Sequence, residues 1–454
     1  MKKLLLMLIL LAAAASLFSG CADNNKLSAE QPTTITIWHV YGNQTKSPLN
    51  DAIAEFNATE GKKQGVAVKI TSLTNSTAID KALIASANKE PGFAPMPNLF
   101  TAYPRLLNSI DNKLFLDWSK YFTQEELAAY NQDFLREGYE GKALFVLPLA
   151  KSTDVLFVNK TLFDRFAAAT GATLEQMRDF DQIFELCRRY HAWSGGRDMF
   201  QINEYYHYFH INMASFGKAF VQNDAANTQD QVFARIFLPM AKAAIAGGLC
   251  VEKGYASDRW VTAAIISNVG SSAGVLYNRD YVIYGNNKKE NVTNICLPYP
   301  GFLAAGGKPM FPHRGVGLFA RKSENEKENL AAAVFAKWIG QKTHNLQFAT
   351  NIGYLPVNEQ ALKELLANPQ NITSPKHRQL YESQKLAADE YTYLYLPRSK
   401  NVSKIQFKTE NVTRRILADA QQEYRQLVQS GADPEQTCNE LAQKSLRLVQ
   451  QALQ

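Results

Sequence analysis

Gly141-Lys-Ala-Leu-Phe-Val-Leu-Pro-Leu-Ala-Lys-Ser-Thr-Asp-Val-Leu-Phe-Val-Asn-Lys160 is the stretch on which the organisation of the chain turns. It holds two apolar β runs, Ala143–Leu147 and Asp154–Val158, with Pro148 and a short polar interval between them. Proline cannot donate to a sheet ladder, so one uninterrupted central strand is not expected. A hinge needs only a few residues between rigid elements to absorb backbone rotation. Leu147–Thr153 is therefore expected to be the first crossing between two lobes; two neighbouring strands of one domain is the alternative.

Upstream, Thr33–Trp38 alternates in β fashion and leads into a polar, aromatic loop, His39-Val-Tyr-Gly-Asn-Gln-Thr45. Pro48–Ala58 carries Leu49, Ile53 and Phe56 at helical spacing, and Val66–Leu73 reads as a second strand. Such a β-loop-α-β unit opens an α/β sheet, where ligands sit beyond the carboxyl ends of the strands. Downstream, Leu174–His191 reads as a helix, Met199–Ile202 as a strand and Glu204–Phe216 as an aromatic-rich helix. Ile295–Pro298 reads as a strand that breaks at Pro298 into Tyr299-Pro-Gly301, Gly353–Val357 is a further break at Pro356, and Arg314-Gly-Val-Gly-Leu318 is a strand with close-approach glycines. Helices over Val412–Val428 and Pro434–Leu453 end the chain.

A length of 454 residues exceeds one ordinary core, so at least two domains are expected. With 46% hydrophobic and 20% charged residues the composition is globular. The formal charge of +7 is spread along the chain rather than clustered, which argues against a nucleic-acid surface. Lys2-Lys3 precedes the apolar run Leu4–Ala15, the length of a signal core and too short to span a bilayer comfortably. It ends in Leu17-Phe-Ser-Gly-Cys21, which resembles a bacterial lipoprotein signal with Phe18 where leucine is usual. Residues 1–20 would be removed and Cys21 lipidated, and residues 21–32 would tether the fold to the membrane. Cys187, Cys250, Cys296 and Cys438 show no close metal-binding spacing; buried free thiols are preferred over a disulfide.

Several features recur in one order. After the lipoprotein signal come Ile35-Thr-Ile-Trp-His-Val-Tyr-Gly42 and Leu147–Lys160, then Arg314-Gly-Val-Gly-Leu318. Ala332-Ala-Val-Phe-Ala-Lys-Trp-Ile339, Gly353-Tyr-Leu-Pro-Val357 and the C-terminal helical pair follow. In this order they resemble the extracellular solute-binding proteins of ABC importers, in particular the carbohydrate-type group that includes maltose-binding protein. The resemblance implies an α/β, two-lobe periplasmic-binding-protein-like fold with an interlobe ligand cleft and three crossings. Residues 33–149 and 302–352 would form the N-terminal lobe, and 150–301 and 353–454 the C-terminal lobe. It also implies an extracytoplasmic, lipid-anchored monomer. That monomer would bind a small solute, most simply a sugar or oligosaccharide, and deliver it to permease subunits. No cofactor, catalysis or nucleic acid is expected, and the ATPase would be a separate subunit.

Sugars suit a cleft of aromatic rings with a polar rim. The first lobe offers His39, Tyr41 and Asn43 in the loop after the first strand, and Tyr103 and Arg105 after strand Asn98–Thr101. Trp38 reads equally as core or ligand contact. Lys151, Ser152 and Asp154 flank the first crossing, although Asp154 also reads as a strand-start carboxylate. By the resemblance, a carboxylate and an aromatic of the second lobe transfer to Glu204 and Tyr206, with Tyr205 as the neighbouring choice. Ser271 and Ser272 stand where the family often has tryptophan, which weighs against a stacking platform and a maltodextrin-like ligand there. Arg314 and Tyr354 lie beside crossings.

Three rivals arise from the same residues. Lys151, Arg105 and Arg314 together suit a phosphorylated polyol or another anion. Glu204, His207 and His210 have the i, i+3 spacing of a metal-binding helix face. Gly270-Ser-Ser-Ala-Gly274, followed by Asp280 and His313, has the chain order of a serine hydrolase, although no long helix opens at Ser272.

Overall fold

The structure, a computed structural model, describes residues 26–41, 47–73, 76–395, 399 and 401–454. Cys21, the signal segment and Asn43 lie outside the described residues. Two sheets carry the fold. The smaller runs Val66–Ser72, Thr33–His39, Leu99–Ala102, Gly317–Ala320, Leu147–Pro148. Its first three strands are parallel and the last two antiparallel to their neighbours. The larger runs Leu249–Cys250, Phe200–Ile202, Ser267–Ser271, Ala150–Asn159, Met310–Arg314, Thr392–Tyr395. This is the two-lobe α/β architecture expected from the sequence.

The quoted stretch folds around one strand. Ala150–Asn159 is ten residues long and buried throughout, so each of its backbone groups needs a partner. Its first half pairs with Leu355–Pro356 and with His313–Arg314, its second half with Ser267–Ser271 and Asn294–Pro298. Pro356 faces Ala150 and Pro298 faces Val155, while Pro148 closes the strand just upstream. The three proline breaks thus gather along a single strand. Lys151–Thr153, expected in a connecting interval, is strand; Leu149 alone separates the two sheets here.

The return passage differs in place. Met310–Arg314 pairs with the larger sheet and Gly317–Ala320 with the smaller, so the chain passes between sheets at Gly315-Val316. Leu355, Val357, Leu362, Leu365 and Tyr381 pack in one core with Ile35 and Ile37 of the first sheet and Phe56 of the helix Pro48–Ala58 that covers it. The lobe boundaries expected at 301/302 and 352/353 therefore do not coincide with this pairing and packing. Gly315 has φ 152°, and a Cβ there would stand 2.6 Å from the Ala150 carbonyl oxygen. Gly315→Ala is expected to destabilise the fold by about 1–3 kcal/mol, read as a lowered urea midpoint.

The second core is aromatic. Phe180 meets Tyr208, Tyr299 and Phe302, and Phe209 meets Phe220, Phe233 and Phe237. Asp179 caps the helix Phe180–Trp193 by accepting from the amides of Asp181 and Gln182, which is why the helix starts later than its periodicity suggests. Tyr205–Ser215 is apolar on nearly every side and is buried accordingly. Val402–Gln429 and Pro434–Leu453 form a helical hairpin whose buried faces join this core. All four described cysteines are free and buried. Among the described residues no helix is long and apolar enough to cross a membrane.

Candidate functional site

Strand ends converge on Arg314, the last residue of Met310–Arg314. Its Nη2 donates to Asp154 Oδ1 at 2.9 Å and its Nη1 to Glu204 Oε1 at 2.9 Å. His207 completes the network, with Nδ1 3.1 Å from Asp154 Oδ2 and Nε2 3.3 Å from Glu204 Oε2. Burial alone would raise the Asp154 and Glu204 carboxyls; the Arg314 charge and His207 outweigh it and hold both below their usual range. Arg314 itself is held more firmly protonated by the two carboxylates, against the effect of burial.

Local structure aims these groups. Glu204 stands at the N-cap position of helix Tyr205–Ser215 with extended backbone, but its side chain does not cap. Glu410 of the long C-terminal helix takes over part of that task and accepts from the Tyr206 amide at 2.9 Å. Glu204 is thereby released toward Arg314 and keeps 34% of its side-chain surface open, whereas Asp154 keeps 3%. Glu204 is thus the accessible face of an otherwise buried network.

Aromatic residues from both lobes surround it. Tyr103 follows strand Leu99–Ala102, is half-buried, and senses the charges of Arg314 and Glu204 across the lobe junction. Arg105 lies over the Tyr103 ring at 4.4 Å and pairs with Asp80 at 3.0 Å. Tyr206 lies near the Arg105 charge. Tyr354 stands beside the Ser152 and Ser271 side chains and near Tyr103 and Arg314; burial lifts its phenol to about 12. Tyr41 senses Tyr354 and Tyr103. Among the described residues the Tyr41 and Tyr206 hydroxyls have no hydrogen-bond partner. A buried hydroxyl without a partner is costly, so each offers a hydrogen bond to whatever enters.

Ten sequence candidates thus share one neighbourhood: Tyr41, Tyr103, Arg105, Ser152, Asp154, Glu204, Tyr206, Ser271, Arg314 and Tyr354. Others are placed elsewhere. His39 is buried against Asn50 and accepts from the Tyr41 amide. Lys151 pairs with Glu137 beside the Phe134 ring. Tyr205 lies under Arg414, away from Tyr206, because consecutive helix residues point about 100° apart. Ser272 is fully buried and accepts from the Thr153 amide. Trp38 packs against a small apolar cluster with Phe100 and Leu106. His207 was missed as a member of the network; its i, i+3 spacing from Glu204 was the available signal, read there as metal chemistry.

The rival readings lose their geometry. His207 is held by Asp154 and Glu204 with the Arg314 guanidinium 3.3 Å away, and His210 Nε2 faces the Tyr395 carbonyl. A cation there would meet a fixed positive charge, and among the described residues no metal-binding cluster forms. Among the described residues neither ring nitrogen of His313 has a hydrogen-bond partner, and the ring stacks on Tyr393 at 4.8 Å. It therefore cannot activate Ser272 as placed.

The sequence pattern of the bacterial extracellular solute-binding proteins matches residues 51–377. A search of curated proteins by sequence returned no match. Among solved structures, the cyclic alpha-maltosyl-1,6-maltose binding protein of Arthrobacter globiformis is 15% identical, with TM-score 0.63 over 93% of this chain and 99% of that one. UgpB of Mycobacterium tuberculosis, solved with glycerophosphocholine, is 16% identical, with TM-score 0.64 over 92% and 98%. The maltotriose binding protein of Thermus thermophilus is 16% identical, with TM-score 0.59 over 92% and 100%. At these identities the structural likeness speaks for the fold, and the sequence pattern for the family: the chain belongs to the bacterial extracellular solute-binding proteins.

Proposed function

We propose that this protein captures a neutral, hydroxyl-rich solute, a sugar or oligosaccharide, between its two lobes and delivers it to the permease of an ABC importer. The observation that carries the reading is charge compensation. Arg314 is neutralised by Asp154 and Glu204, Arg105 by Asp80 and Lys151 by Glu137. An anion would have to break these pairs, which disfavours the phosphorylated polyol. The half-buried rings of Tyr103 and Tyr354 suit the apolar faces of a sugar, and Glu204 with the hydroxyls of the buried Tyr41 and Tyr206 suits its rim. The neighbours named for maltose-type ligands support the same class.

In this proposal one lobe is built on the smaller sheet and the other on the larger. The ligand favours closure through contacts that only the closed form offers. The chain binds and does not catalyse, acts as a monomer, and is held at the membrane by lipid on Cys21. A micromolar dissociation constant, roughly −8 kcal/mol, would allow both capture and release. Calorimetry with neutral saccharides and with glycerol 3-phosphate tests it. Tyr206→Ala and Arg105→Ala should each weaken saccharide binding by about 2 kcal/mol, roughly thirtyfold, with circular dichroism unchanged. Unchanged affinity in both would remove this site assignment.

A further inference from the structure

A concave site lies in the larger lobe, away from the interlobe cluster, with a volume of about 710 Å³. That is within the usual range of small-ligand pockets, roughly 300–1,000 Å³. It is walled by helix Phe180–Trp193, the start of helix Lys160–Thr170 and the hairpin around Lys289. Trp193 leaves 43% of its surface exposed here. Its ring is held by Phe166 at 5.5 Å and Tyr190 at 5.6 Å, so it presents a fixed face rather than a projecting wedge.

The polar lining is strongly one-sided. Arg165, Arg197, Lys288 and Lys289 face a single carboxylate, Glu290. Glu290 is already committed: Arg165 forks onto both its oxygens, and the Tyr284 hydroxyl donates to it at 2.6 Å. Lys289 sits over the Tyr281 ring at 4.0 Å. Among the described residues, Arg197 and Lys288 make no salt bridge. Two cations without a salt-bridge partner among the described residues, beside a rigid, exposed indole, form a different chemistry from the cleft, where each cation has its carboxylate.

We propose that this pocket binds an acidic saccharide, its ring stacked on Trp193 and its carboxylate or other anionic group held by Arg197 and Lys288. Stacking selects the sugar face, and a guanidinium selects a planar carboxylate by paired hydrogen bonds. The ligand could be a free acidic oligosaccharide or the same units within an anionic envelope polymer. A concave, aromatic-floored pocket favours such a ligand over the flat surface of an anionic membrane.

Calorimetry on the mature chain with trigalacturonic acid, with maltotriose as neutral control, tests the assignment. Trigalacturonic acid should bind. Trp193→Ala and Arg197→Glu should each weaken it at least tenfold, while Tyr206→Ala in the interlobe cluster leaves it unchanged. Arg197→Glu keeps the test valid if Trp193→Ala fails to fold. Co-sedimentation with polygalacturonate then distinguishes the polymer from the free oligomer, and either supports the assignment. No binding at millimolar ligand would overturn it, as would full binding by both pocket variants or loss in Tyr206→Ala. So would Trp193-dependent binding to phosphatidylglycerol vesicles without saccharide binding.

Discussion

Arg314→Ala is expected to cost the fold about 3–5 kcal/mol, because it leaves Asp154 buried without its cationic partner. Asp154 keeps 3% of its side-chain surface and its remaining partner, His207, is itself buried. The loss of a few packing contacts would cost less. Adding Asp154→Asn to Arg314→Ala should recover a large part of the loss by removing the stranded charge. Urea unfolding of both variants measures this. A single variant within 1 kcal/mol of the parent, or a double variant no better than the single, would contradict the network's role. Solute affinity should fall as well, because Glu204 loses the partner that orients it.

The second large effect is a loss of stability on mild acidification. Burial, aided by the neighbouring His207, pushes His210 down to about 4. Burial and the nearby Lys151 charge push His313 well below its ordinary value. For both, the folded value lies below the unfolded value of about 6.5. The stabilisation is therefore whole above about pH 6.5 and is lost as pH falls toward the folded values. For His210, with its folded value at about 4, that window is worth on the order of 3 kcal/mol. Below it, Asp154 and Glu204 add a further loss, since their folded values are depressed from about 4. His210→Gln should flatten the stability profile between pH 6.5 and 4; an unaltered slope would contradict the assignment.

What was legible in the sequence was what local chemistry dictates. Pro148, Pro298 and Pro356 read as breaks because proline lacks a donor, and all three fall on or beside one strand. That Tyr41, Tyr103 and Arg105 share a neighbourhood was legible because they follow strand ends, where ligands sit in such sheets; Glu204 came by resemblance and Arg314 from its place beside a crossing. What was not legible depends on distant partners. Lys151 is taken by Glu137, and His39 faces Asn50. Met310–Arg314 joins the larger sheet only because Ser152 and Thr153 offer it a ladder, which no local pattern of its own could announce. His207 acts with Asp154, 53 residues away in the chain, so spacing on its own helix pointed to a different chemistry.

Small-angle X-ray scattering of the mature chain, titrated with neutral saccharides and with glycerol 3-phosphate, addresses the capture of an uncharged solute by lobe closure. The radius of gyration should fall on saturation with a neutral saccharide, should not change with glycerol 3-phosphate, and should not change with either in an Arg105→Ala/Tyr206→Ala variant. Compaction by glycerol 3-phosphate with no response to any neutral saccharide would contradict the account.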